Sequence, residues 1–190
     1  MRISALLLIL LFISCPVFAT EIDVEKKRII QAHFLIKMGA FIKWDKAESL
    51  PLVLCINTNS DKELARTLSK LVRKKVQRKP GVTVRAFEFN PENRGESFKN
   101  CNIIYNFSLS SLLETGAHYE EPQQYLHKSQ SVWITSSAQR LQEGAHFALV
   151  EMKGKIRLLG NKVLLQKPSL HISTQLMQIV KFESEQIQNR

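Results

Sequence analysis

Two cysteines, Cys55 and Cys101, carry the most chemistry in this 190-residue chain. Each sits at or beside an apolar run, residues 52–56 and 101–105. In an oxidising compartment they are a candidate disulfide. The bond would close a loop of about 46 residues and contribute roughly 4 kcal/mol by chain-entropy arithmetic, less any strain. The alternative is two buried free thiols, since sequence alone does not bring the Cα atoms within bridging distance. The remaining reactive types are scattered. His33, His118, His127, His146 and His171 show no HExxH or other close metal-ligand spacing. Ser136-Ser137 follow an apolar run but lack the GxSxG elbow of a serine nucleophile. Glu120-Glu121 is more simply the acidic start of a helix than an acid–base pair. None of the seven glycines builds a phosphate-binding loop. No cofactor or metal site is therefore expected, and an enzyme would need a site assembled from distant residues.

Which compartment the cysteines meet is written at the start of the chain. Arg2 is followed by an unbroken apolar run from Ala5 to Ile13, and Val17-Phe18-Ala19 ends in a small residue before polar Thr20-Glu21. That order is a secretory signal peptide, assigned to residues 1–19, with a single domain over 20–190. The apolar run is too short for a membrane span, which takes roughly 20 residues, so no span is expected once the leader is cleaved. A second reading is a lipobox at Phe12-Ile13-Ser14-Cys15, which would tether the protein through Cys15. The formal net charge is +10. In a cytosolic protein that surplus would suggest nucleic acid; with export it reads as a solvated basic surface, or as attraction to an anionic membrane or acidic partner.

The elements that position these residues follow from periodicity. Ile30, Phe34, Met38 and Phe41-Ile42 recur at helical spacing between Val24 and Ile42. Ser60-Asp61-Lys62-Glu63 has the form of a capping box ahead of a helix striped by Leu64, Leu68, Leu71 and Val72. The basic cluster Arg73-Lys74-Lys75 with Arg78-Lys79 falls where that helix should end, which suits its dipole. Strands are predicted at 52–57, 82–89, 102–107 and 131–135. Short helices are predicted at 110–114 and 122–128. Runs 146–152 and 155–159 flank Lys153-Gly154, a hairpin turn. An amphipathic helix is predicted over 173–188. Strands alternating with helices up to about residue 135 imply an α/β fold: one domain, a mostly parallel sheet flanked by helices, and an antiparallel edge hairpin.

Several segments, in this order, resemble the YfiR-like family of small exported α/β proteins. The opening helix through Phe41-Ile42-Lys43-Trp44 is similar to that family's F-x-x-W pattern. Leu54-Cys55-Ile56 resembles its first strand, and Cys101-Asn102-Ile103 its C-[HN]-[ILV] strand. Ser131-Val132-Trp133-Ile134-Thr135, Glu143-Gly144-Ala145, Lys155 through Asn161, and Leu170 through Met177 match later segments. Trp44 is followed by Asp45 where the family favours Pro. The resemblance runs from about residue 25 to 182. It implies a periplasmic inhibitor of an inner-membrane diguanylate cyclase, acting on the cyclase's periplasmic domain, lowering cyclic di-GMP and restraining biofilm formation. It also implies a disulfide between Cys55 and Cys101, a homodimer, and no catalysis by this chain. The competing reading is a periplasmic small-ligand binding module serving a sensor kinase or transporter. It would use the crevice beyond the carboxyl ends of the parallel strands.

Overall fold

β2 (Leu52–Asn57) organises the sheet, because its Leu54-Cys55-Ile56 core is buried on both faces. The computed structural model describes residues 23–43, 52–76, 82–87, 100–106, 131–167 and 170–182. Before β2 come α1 (Val24–Phe41) and the short β1 (Ile42–Lys43). After it come α2 (Thr58–Val76), β3 (Val82–Phe87), β4 (Ile103–Tyr105), β5 (Val132–Thr135) and a 3-10 turn (Ala138–Leu141). The chain continues through β6 (Phe147–Met152), β7 (Lys155–Gly160), α3 (Lys162–Leu165), β8 (His171–Ile172), α4 (Thr174–Ile179) and β9 (Lys181–Phe182).

Among the described residues, seven strands form one sheet in the order β3-β2-β4-β5-β6-β7-β9. The first five run parallel, β7 runs antiparallel to β6, and β9 runs parallel to β7. The fold is the expected α/β domain with a mostly parallel sheet. β1 and β8 form a separate antiparallel pair. The chain leaves β2 for β3 on one side and returns to β4 on the other, so strand order reverses between β2 and β4.

Alternation along each strand sorts side chains onto two faces. Leu54, Ile56, Ile103, Tyr105, Val132 and Ile134 share one core with Leu35 and Met38 of α1 and Leu64 and Leu68 of α2. Cys55, Cys101, Ile104, Trp133, Ala148 and Leu159 make a smaller cluster on the opposite face. The hairpin forms at Lys153-Gly154, whose φ values of 50° and 68° suit a turn that matches the strand twist.

Four expectations about the elements change. The fully buried side chains of α1 are Gln31, Ala32, Leu35, Ile36 and Met38, while Phe34 and Phe41 only pack at the margin of the core. Apolar residues surround most of this helix, so spacing alone did not choose its face. The regular part of α2 is capped by Asp61: its backbone leaves the helix (φ −158°, ψ 81°), and its Oδ1 accepts from Leu64 N at 2.9 Å. The hairpin is flanked by β9, which pairs with β7. That pairing also ends the last helix at Ile179, where 173–188 had been expected. Val180 is extended and buried, and a Cβ at Gly160 would lie 2.5 Å from Val180 Cγ1. Strand pairing against a side-chain-free Gly160 outweighs the helical pattern beyond Ile179. Trp44 and the helices predicted at 110–114 and 122–128 lie outside the described residues, as does the leader with Cys15.

Candidate functional site

Cys55 and Cys101 are bonded, with Cα atoms 5.8 Å apart and side chains buried at 0% and 3% exposure. Cys55 lies mid-strand in β2, and Cys101 stands just ahead of β4, on the sheet face opposite α1 and α2. The bond is reinforced by Asn102, whose bonding role the sequence did not reveal. Asn102 Oδ1 accepts from Val53 N at 2.8 Å, and Asn102 N donates to Val53 O at 2.9 Å. Asn102 O also accepts from Val132 N at 2.8 Å, and Ser131 Oγ donates to Cys101 O at 2.6 Å. One residue thereby ties β2, β4 and β5 together where β4 begins.

The histidines do not converge. His33 is on α1, His171 is in β8, and His146 precedes β6. His146 acts structurally: its N donates to Trp133 O at 2.9 Å, and its Nδ1 accepts from Trp133 N at 3.2 Å. The imidazole thus stands in for a main-chain carbonyl in the β5–β6 ladder. His118, His127 and Glu120-Glu121 lie outside the described residues. Among the described residues, no group of three or more His, Cys, Asp or Glu is placed to hold a metal ion. Ser137 Oγ donates to Gln139 Oε1 at 2.6 Å, so it does not face a general base.

Polar groups gather instead where the parallel strands end, at the β2/β4 reversal. There β2 contributes the buried Asn57, β4 contributes Tyr105 and then Asn106, and β5 leads into the exposed Ser136. Asn106 adopts φ 54°, a left-handed conformation that asparagine tolerates. It accepts from Ser136 N through Oδ1 at 2.8 Å, donates from N to Ile134 O at 2.9 Å, and takes a long 3.4 Å contact from Asn57 Nδ2 at its carbonyl. Asp61, at the start of the regular part of α2, comes over this end, with Arg28 of α1 4.0 Å from its Oδ1. Tyr105 is fully buried; its hydroxyl makes no hydrogen bond of good geometry, although the Ser136 and Asn106 side chains stand near it. Burial pushes its pKa well above the ordinary phenol value, and the Asp61 charge adds to the rise. The Ser136 and Asn106 side chains oppose it in part. The phenol therefore stays protonated.

A concavity lies at the β1–β8 pair. It is an open groove of about 730 Å³, with Lys43 and His171 on its polar side and Leu165, Leu170 and Met177 on its apolar side. Its volume is within the range of small-molecule sites, roughly 300–1,000 Å³. Sequence reading missed this groove because its residues come from separate elements. Lys43 reaches the groove only because β1 pairs with β8 through Ile42↔Ile172 and Lys43↔His171.

A family model described as DUF4154, YfiR/HmsC-like, matches residues 29–181. No curated protein matches the chain. A solved structure of similar fold is the ABC domain in complex with L-Trp from Streptococcus pneumonia. It is 10% identical, with a TM-score of 0.51 over 80% of this chain and 59% of that one. This chain therefore spans about three fifths of that structure, and at such identity the likeness is one of fold alone.

Proposed function

The chain belongs to the YfiR/HmsC-like family, and from that membership we propose that it is a periplasmic regulator that inhibits a membrane-bound diguanylate cyclase. In this reading residues 1–19 direct export and residues 20–190 form the regulatory domain. That domain binds the periplasmic part of the cyclase or a related membrane sensor. Cyclic di-GMP then falls and biofilm formation is restrained. Inhibition requires differential binding: the regulator must hold the partner's inactive state more tightly than its active one. The match over residues 29–181 is the observation that carries this reading. Three features support it. The disulfide fits an oxidising compartment. No described helix is long and apolar enough to cross a membrane. His146, one of the reactive residue types, serves as a tie between β5 and β6. A homodimer, as the family resemblance implies, belongs to the same proposal.

The test is intracellular cyclic di-GMP in strains with and without the gene. A rise on deletion, reversed by the exported protein but not by a leaderless version, is the expected outcome. An unchanged level under several envelope stresses would sink the regulatory reading.

The groove at β1–β8 favours a second reading, a small-ligand binding module serving a sensor kinase or transporter. A defined small molecule that stabilises the pure protein, with no membrane partner recovered, would bring that reading to the front.

A further inference from the structure

α2 carries positive charge where its own helix dipole does not call for it. Lys62, Arg66, Lys70 and Arg73 recur at four- and three-residue spacing and are all exposed, so they share one face of the helix. Leu64, Ala65, Leu68 and Val72 turn the other face into the core. The row extends about 16 Å at 1.5 Å per residue, and Lys74 and Lys75 follow it in the chain. The dipole accounts for Arg73, since cations are favoured near the carboxyl end of a helix. It does not account for Lys62, which directly follows the Asp61 cap, or for Arg66 one turn later, because the amino end favours acids. Nor do neighbouring acids absorb the charge. Glu63 is bonded to Arg66, and Asp61 is balanced by Arg28 of α1. Among the described residues, no ion pair engages Lys62, Lys70 or Arg73. The adjacent α1 exposes Lys26 and Lys37 against Glu25 and the capping Asp23, so the excess belongs to α2.

What the row lacks identifies its partner. Protein interfaces centre on desolvated apolar or aromatic anchors. Among the described residues the exposed large apolar side chains are Val24, Ile29, Val163 and Ile179, and none belongs to α2. A straight row of extended cations with neither anchor nor cleft matches a flat, laterally mobile array of negative charge, which an anionic bilayer provides. We propose that the exposed face of α2 docks the protein on anionic phospholipid, with Lys62, Arg66, Lys70 and Arg73 at the headgroups and no insertion into the acyl region. Each unpaired cation near such a surface strengthens binding about fivefold. Lys62, Lys70 and Arg73 together account for about a hundredfold, and Arg66 contributes less because Glu63 shares its charge. The attraction is confined to a Debye length and is screened by salt. Docking needs a membrane within reach and not the cyclase, so it stands apart from the inhibitory reading and from the β1–β8 groove.

The experiment sediments the pure protein, residues 20–190, with vesicles of phosphatidylglycerol and, separately, of phosphatidylcholine. One variant carries Lys62→Gln, Arg66→Gln, Lys70→Gln and Arg73→Gln. A second removes the same charge elsewhere, through Lys153→Gln, Lys155→Gln, Arg157→Gln and Lys181→Gln, all exposed on the hairpin and β9. The wild type should bind phosphatidylglycerol, ignore phosphatidylcholine and be released by sodium chloride. The α2 variant should lose about a hundredfold in affinity, while the hairpin variant stays near the wild type. Lys62→Arg with Lys70→Arg, which keeps the charge, should bind as the wild type does. Circular dichroism verifies the fold of each variant. If the fourfold α2 variant loses its helical signal, the single reversal Lys70→Glu, with an expected loss of more than tenfold, takes its place. Equal binding to both lipids, or to neither, overturns the proposal. Equal losses in the two fourfold variants overturn it as well, because overall charge and not α2 would then be responsible. Capture by polyglutamate with no vesicle binding would assign the row to an acidic protein and sink the membrane. No cyclase is present in the assay, so failure here leaves the regulatory reading untouched.

Discussion

β2 and β4 lie side by side, and their two ends are finished in opposite ways. Where β4 begins, Cys101 is bonded to Cys55, Asn102 ties the main chains of β2 and β5, and Ser131 holds the Cys101 carbonyl. Where β4 finishes, Asn106 makes the corresponding link to β5, but its tie to β2 stretches to 3.4 Å, and the Tyr105 hydroxyl makes no hydrogen bond of good geometry. Asparagines bracket the same three-residue strand at both ends. One end is covalent and saturated with hydrogen bonds; the other is tied more loosely. Covalent and hydrogen-bond stabilisation is concentrated at the first end.

The largest test of this contrast is removal of the disulfide. Cys55→Ala with Cys101→Ala should lower unfolding free energy by about 4 kcal/mol, read from urea denaturation of the pure protein. Thiol labelling of unfolded, unreduced protein that finds both cysteines reactive would break the comparison at its stronger end. Asn102→Ala should cost about 2 kcal/mol, because Val53 N loses its side-chain acceptor in a partly buried position. If Asn102→Ala unfolds like the wild type, the disulfide alone holds this end.

The other end predicts a dependence on alkaline pH. The folded-state pKa of Tyr105 lies above its unfolded value of about 10, so above pH 10 the unfolded chain binds fewer protons than the folded one. Stability is therefore unaffected by this group below about pH 10 and falls as pH rises beyond it. The loss is about 1.4 kcal/mol per pH unit from this one group. Denaturation of wild type and Tyr105→Phe between pH 9 and 11 should show the shallower slope in the variant; equal slopes would place the phenol in a solvated setting. The smallest effect is that of Tyr105→Phe at neutral pH. Deleting a buried hydroxyl that makes no good hydrogen bond should leave stability unchanged or raise it by about 1 kcal/mol. A substantial loss instead would mean that the hydroxyl is bonded in solution, and the two ends of β4 would no longer differ.

Much of the saturated end was legible in the sequence, and little of the open end was. Leu54-Cys55-Ile56 and Ile103-Ile104-Tyr105 are runs buried on both faces, so their strand character is local and visible. The two cysteines beside them were an evident pair to test. Lys153-Gly154 announced its turn because few dipeptides accept positive φ at both positions. Asn102 was legible as part of the C-[HN]-[ILV] likeness, but its bonding role was not, since that appears only when Val53 is brought alongside. Asp61, Tyr105 and Ser136 come from a helix cap and the ends of two strands, and no spacing rule links them. The last helix misled for a related reason: its amphipathic pattern is genuine, yet β7 offers Lys181 and Phe182 a strand partner.

The sequence by itself determined the strands, the turn, the helix stripe of α2 and a candidate covalent bond, because each depends on burial periodicity, backbone sterics or thiol chemistry within a few residues. Only the tertiary structure decided which face α1 buries, where the last helix stops, and that the Asp61 charge acts on Tyr105. Those outcomes depend on which segments become neighbours, and contact between distant segments is set by the packing of the whole sheet.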